Sequence, residues 1–160
     1  MYHDDYEDED WVDPAFTEEF TNQLLRMCAE LGIQVKWAPM NPYTPPASNP
    51  KHKTIAMNSN WHNPEQIPLQ LAHEIEHILH KDFEYAILYF TTGIKKTIER
   101  DANYDAIRLL VRIFIAESVA DATEDKNIAA QTNYVDFAKA LGIPTHMKYM
   151  VKDALAEYDY

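Results

Sequence analysis

The chain has a single cysteine, Cys28. That excludes an internal disulfide and fits a reducing cytoplasm. Basic residues are also scarce, 14 Lys and Arg against 26 Asp and Glu, for a formal net charge of −12. Direct nucleic-acid binding favours a basic surface, so it is not expected. Long apolar runs are missing: the most apolar stretch, residues 107–120, is broken by Arg108, Arg112 and Glu117 and is too short to span a bilayer. The N-terminus is acidic where a signal peptide would be basic and then apolar, so neither a signal nor a membrane role is expected. No internal repeat is present.

Among 160 residues, 46% hydrophobic, there is enough apolar material for one domain with a sizeable core. The acidity is uneven. Residues 1–25 hold nine acidic side chains and no Lys or Arg. Residues 1–13 therefore read as a flexible, solvated tail, and residues 14–160 as the single domain. Tyr2, Tyr6 and Trp11 interleave with the tail's acids, which suits a basic protein partner.

Periodicity places the elements. Residues 14–31 read as an amphipathic helix capped by Asp13, with Phe16, Phe20, Leu24 and Met27 on one face and Gly32 at its end. Cys28 belongs to that helix as a core residue. Residues 33–38 alternate like a strand, with Ile33, Val35 and Trp37 on one face, and residues 53–59 form a second strand. Between them, residues 41–50 carry four prolines and read as an irregular loop at a cleft rim. Residues 64–82 read as a helix with Asn63 as N-cap and Pro64 in the first turn, becoming regular near Leu69 because of Pro68. A linker at residues 91–93 precedes a helix over residues 96–118. Helices at residues 134–141 and 145–158 follow, separated by Gly142 and Pro144. The fold class is α+β: a small β-sheet packed on a helical bundle, with a metal site between two central helices.

The metal site is read from His73-Glu74-Ile75-Glu76-His77. Two histidines four apart on a helix lie one turn above each other, so both rings reach one ion. The glutamate after the first histidine sits where a general base is needed in zinc hydrolases. Chance alone supplies roughly 0.02 such patterns in a chain of this composition, so context has to decide. Catalytic zinc keeps three protein ligands and one open position. His80, Asp82, Glu84, Glu99, Asp101, Asp105 and His146 are candidates for the third ligand. Glu99 stands out because Glu99, Ala102, Asn103, Ala106, Leu109, Leu110 and Ile113 trace one helix face. Its two alanines let the helix come close enough for a short carboxylate arm. Asn103, one turn on, is placed to orient a ligand by a hydrogen bond. His80 lies a further turn along, and the rise of about 10 Å from His73 makes a shared ion awkward. It reads as a neighbour of the site or an exposed residue. His146, Tyr85, Tyr89 and Tyr104 remain open as groups that stabilise an oxyanion.

His73-Glu74-x-x-His77 followed by Glu99-x-x-Ala102-Asn103-x-x-Ala106-x-x-Leu109-Leu110 resembles the ImmA/IrrE family of bacterial and phage metallopeptidases. Thr54-Ile55-Ala56-Met57-Asn58, Ile67-Pro68-Leu69-Gln70-Leu71-Ala72, Leu141-Gly142-Ile143-Pro144 and Met150-Val151-Lys152 extend the resemblance over residues 53–155. It implies a zincin-like site with His73, His77 and Glu99 as Zn²⁺ ligands and Glu74 as catalytic base. It also implies a zinc-dependent endopeptidase that cleaves a helix-turn-helix transcriptional repressor of a prophage or mobile element, relieving repression. The alternative is a non-proteolytic anti-repressor that sequesters the repressor. A monomer is favoured. The chain departs from the family pattern at Glu76, where glycine is common, at Asp105, where phenylalanine is, and at Arg112, where proline often stands. Glu76 is expected to face solvent.

Overall fold

The computed structural model describes residues 14–80, 92–121 and 131–158. The tail at residues 1–13, with the Asp13 cap, and Asp82, Glu84, Tyr85 and Tyr89 lie outside them. The described residues form a mixed α+β fold. Its order is α1 (Pro14–Leu31), β1 (Gln34–Ala38), β2 (Ala47–Asn49), β3 (Thr54–Asn58), α2 (Ile67–Leu79), α3 (Thr92–Asp121), α4 (Tyr134–Ala140) and α5 (Lys148–Ala156). No helix among the described residues is long and apolar enough to cross a membrane.

Phe20, Leu24 and Cys28 repeat at helical spacing and give α1 one buried face, with Phe16 and Met27 partly buried beside it. Gly32 ends the helix at φ +72°, a conformation in which a side chain is strained. Its left-handed turn lets the Ile33 amide donate back to the Cys28 carbonyl at 2.8 Å, closing a Schellman motif. The chain then enters the sheet, whose order is β1-β3-β2. β1 runs parallel to β3, and β2 runs antiparallel to it. Ile55 and Met57 of the central strand are fully buried, and each such side chain contributes roughly 1.5–3 kcal/mol.

One expectation changes here. Residues 47–49 of the proline-rich loop are a strand, because Ser48 pairs with Ile55 in the β2–β3 ladder. Trp37 is 42% exposed, whereas Ile33 is buried.

α2 is the central element, packing against α1, α3, β2 and β3. It opens with a 3₁₀ turn at Pro64–Gln66, and Asn63 makes no side-chain cap bond to it. Pro68 is tolerated because it sits in the first turn of the α-helix, where the missing N–H has no intrahelical partner. Leu71, Ala72 and Ile75 are completely buried on α2, as are Ala102, Ala106 and Leu110 on α3, the helix packed against it. α3 begins at Thr92, inside the expected linker.

α4 is capped by the Asn133 carboxamide, which accepts from the Val135 and Asp136 amides. Gly142, at φ +60°, closes that helix as Gly32 closes α1, with the Ile143 amide donating to the Ala138 carbonyl at 2.9 Å. A Cβ there would stand 2.6 Å from Gln66 Cγ. The Gly142 carbonyl accepts from Gln66 Nε2 at 2.9 Å, and Gln66 Oε1 accepts from Trp61 Nε1 at 2.9 Å. The C-terminal layer is thereby tied to the entrance of α2.

Candidate metal centre

α2 presents His73 and His77 one turn apart, and α3 brings Glu99 across from them. The Nε2 atoms of the two rings are 2.8 Å apart. His73 Nε2 lies 3.0 Å from Glu99 Oε2, and His77 Nε2 lies 3.3 Å from Glu99 Oε1. The rings are almost perpendicular, at 84°, so both nitrogens aim at one region without stacking. Four ligands held tetrahedrally about 2.0–2.1 Å from an ion stand about 3.3 Å from one another. The separations seen here, 2.8–3.3 Å, are close to that edge. Two imidazoles and a carboxylate therefore fit the donor set of a three-ligand divalent site with one direction open. The candidate ligands His73, His77 and Glu99 come together as expected.

The electrostatics agree with the geometry. The Glu99 carboxyl is held well below the usual carboxylate range, first by its hydrogen bonds to His73 and His77, against the opposing effect of burial. Glu74 is 7% exposed. Burial pushes its carboxyl above the usual range, and this outweighs the neighbouring Ser48 hydroxyl and the two histidines, which pull the other way. A carboxyl poised in this way accepts a proton more readily than a free one.

A cleft of about 630 Å³ opens in front of these groups. Its apolar walls are Pro45 and Pro46 from the rim loop, Trp61, Leu69, Pro144 and Met147, and Ser48 of β2 faces it. The rim loop is held from below by Asn58, which is completely buried at the end of β3. Its Oδ1 accepts from the Met40 and Asn60 amides, at 3.0 and 2.9 Å. Its Nδ2 donates to the Asn41 and Thr44 carbonyls, at 2.7 and 3.0 Å. Gln70 also lines the cleft, and its Oε1 is screened from solvent without a hydrogen-bond partner.

No protein family, curated protein or solved structure matches the chain.

Other candidates fall elsewhere. Asn103 lines the cleft but, among the described contacts, makes no hydrogen bond to the three ligand side chains. Tyr104 does not face the cleft: its hydroxyl donates to Asp153 at 3.2 Å, and its ring lies under the Arg108 guanidinium. His146 is exposed and borders a neighbouring concavity with Glu99 and Asn103. His80 stays out of the His73 group and meets Asp105 at 3.0 Å. Glu76 does not face solvent. It is 9% exposed, because it lies on the flank of α2 that faces Asp105 of α3 rather than on the outer face. Asn58, Ser48 and Gln70 carried no chemical signal in the sequence, since only the packing of β3, β2 and the rim loop gives each its role.

Proposed function

We propose that the chain is a zinc-dependent endopeptidase with a zincin-like centre, His73, His77 and Glu99 holding the ion and Glu74 acting as general base. The observation that carries this reading is the convergence of three donor atoms beside a buried carboxylate at the floor of an apolar cleft. Zinc bound there supplies a Lewis acid that polarises a carbonyl and makes a nearby water more acidic. Glu74 then takes a proton from the attacking water and returns it to the departing amine. Its raised proton affinity suits both transfers, and Ser48 sits beside it on the substrate side. Among the described residues β2 is paired on one edge only, so an extended peptide can lie along its other edge. Pro144, Met147 and Trp61 exclude water from the apolar part of the cleft.

Within this reading the substrate is a helix-turn-helix repressor of a prophage or mobile element in a bacterial cytoplasm, as the motif pair's resemblance implies. The test combines metal analysis with cleavage of a candidate repressor by the wild type and by Glu74→Gln. Cleavage lost with zinc retained supports the peptidase. A Glu74→Gln protein that still relieves repression in full supports sequestration instead. Absence of stoichiometric metal in both proteins overturns the metal centre itself.

A further inference from the structure

One turn further along α2, the same two helices repeat the donor arrangement. Glu76 and His80 stand four apart, as His73 and His77 do, and Asp105 of α3 faces them as Glu99 faces the first pair. His80 Nε2 is 3.0 Å from Asp105 Oδ2 and 3.4 Å from Glu76 Oε2, and the three donor atoms all lie within 4.8 Å of one another. The short separations again match the edge of about 3.3 Å expected around an ion held at 2.0–2.1 Å.

The cluster is more than a patch of surface acids, because of Glu76. Its side chain is about nine-tenths buried, and its Oε2 stands 3.4 Å from His80 Nε2. The His80 ring nitrogen nearest to it already hydrogen-bonds Asp105. A carboxylate withdrawn from water in this way is costly unless a cation meets it. The basic residues nearby fill that role only in part. Arg108 bonds the other oxygen of Asp105, at 3.2 Å, and shares its charge with Glu157 at 2.9 Å, while the exposed Arg112 favours the charged form of Glu76 without an ion-pair contact among the described residues. Arg108 leaves Asp105 Oδ2 pointing inward, at His80. The cluster also lies at the C-terminal end of α2, where the helix dipole favours positive charge. A cavity of about 440 Å³, bordered by His80, Asp105 and Tyr104, opens onto it and gives an ion a route in.

We propose that Glu76, His80 and Asp105 form a second divalent-metal site, separate from the cleft. One imidazole and two carboxylates suit Zn²⁺ or Mn²⁺ better than Ca²⁺ or Cu⁺. The site clamps the C-terminal turn of α2 to α3 and does not face the substrate. It does not depend on the peptidase reading.

The experiment is equilibrium dialysis of the chelator-treated full chain against Zn²⁺, with metal counted by mass spectrometry. Wild type, His77→Ala, His80→Ala and the near-isosteric Asp105→Asn are compared after circular dichroism confirms folding. Two equivalents in the wild type, falling to one in each variant, support the proposal. One equivalent that is lost in His77→Ala but kept in His80→Ala and Asp105→Asn overturns it and leaves an ordinary ion-pair cluster. One equivalent with the reverse pattern supports this site and removes the cleft site. Should His80→Ala fail to fold, Mn²⁺ electron paramagnetic resonance with Asp105→Asn and Glu99→Gln decides. A bound-Mn²⁺ signal lost only in Asp105→Asn supports the site, and no such signal in the wild type overturns it.

Discussion

Replacing Asn58 by alanine tests whether one buried carboxamide holds the rim of the cleft. The side chain uses its whole capacity, accepting from two amides and donating to two carbonyls of the segment from Met40 to Asn60. At about 0.5–1.5 kcal/mol net per bond, four bonds amount to roughly 2–6 kcal/mol. Met40 is half-buried, whereas Asn41 and Asn60 are exposed, so water can replace part of what is lost. The expected cost is therefore in the lower half, about 2–4 kcal/mol. That is a large share of the 5–15 kcal/mol typical of a domain. Urea unfolding followed by far-ultraviolet circular dichroism measures it, with Asn58→Asp as the control. Aspartate keeps both acceptor bonds, loses both donor bonds and buries a charge, so it should be at least as damaging at neutral pH and milder near pH 4. Trypsin cleavage after Lys51 or Lys53 should accelerate in the alanine variant under native conditions, since the loop before β3 loses its anchor. A loss below about 0.5 kcal/mol with unchanged proteolysis would refute the reasoning, because that is less than a single bond's worth.

Four further outcomes follow from the structure. Zinc at a hundred times the dissociation constant of the cleft site should stabilise the chain by about 2.7 kcal/mol through that site and raise Tm by roughly 5–10 °C; Glu99→Ala should abolish that share of the rise in calorimetry and leave any share from the Glu76–His80–Asp105 cluster. In metal-free protein the Glu74 carboxyl is raised from 4.5 by burial, so its stability contribution is complete below pH 4.5 and is lost as the pH climbs through the folded value. Metal-free Glu74→Gln should accordingly melt above wild type at pH 7, and the gap should close toward pH 4. Gly142→Ala combines a left-handed backbone with a 2.6 Å approach to Gln66 Cγ, so it should cost about 1–2 kcal/mol or more and weaken the Trp61–Gln66 bond, seen as a shift in tryptophan emission. Cys28 is buried and its thiol is pushed up to about 11. It should resist alkylation at pH 8 in the native state and react promptly in urea; native labelling at the free-thiol rate would contradict its place in the core.

What could be seen from the sequence was what periodicity and local chemistry encode. The apolar repeat of Phe16, Phe20, Leu24 and Met27 located α1, and the face that Glu99 shares with Ala102 and Ala106 pointed to the α3 side that packs on α2. The candidate pair His73 and His77 was visible because helical spacing translates directly into a shared direction. β2 was hidden because three residues are too few for alternation to register, and its existence depends on β3 as partner. Asn58 was hidden because its four partners lie up to 18 residues away. Glu76 was misjudged because a charged residue defaults to solvent, and only the docking of α3 buries it. Glu76 and Asp105, far apart in the sequence, meet around His80.

The brevity of β2 has a consequence for the molecule in solution. An open strand edge invites a second sheet to zip onto it, the first step toward edge-to-edge aggregation. Here Pro45 and Pro46 precede the three paired residues, and Pro50 follows them. None of the three prolines has an N–H to donate, so a ladder cannot propagate past either end. The outer edge of β2, unpaired among the described residues, is too short to template a fibre.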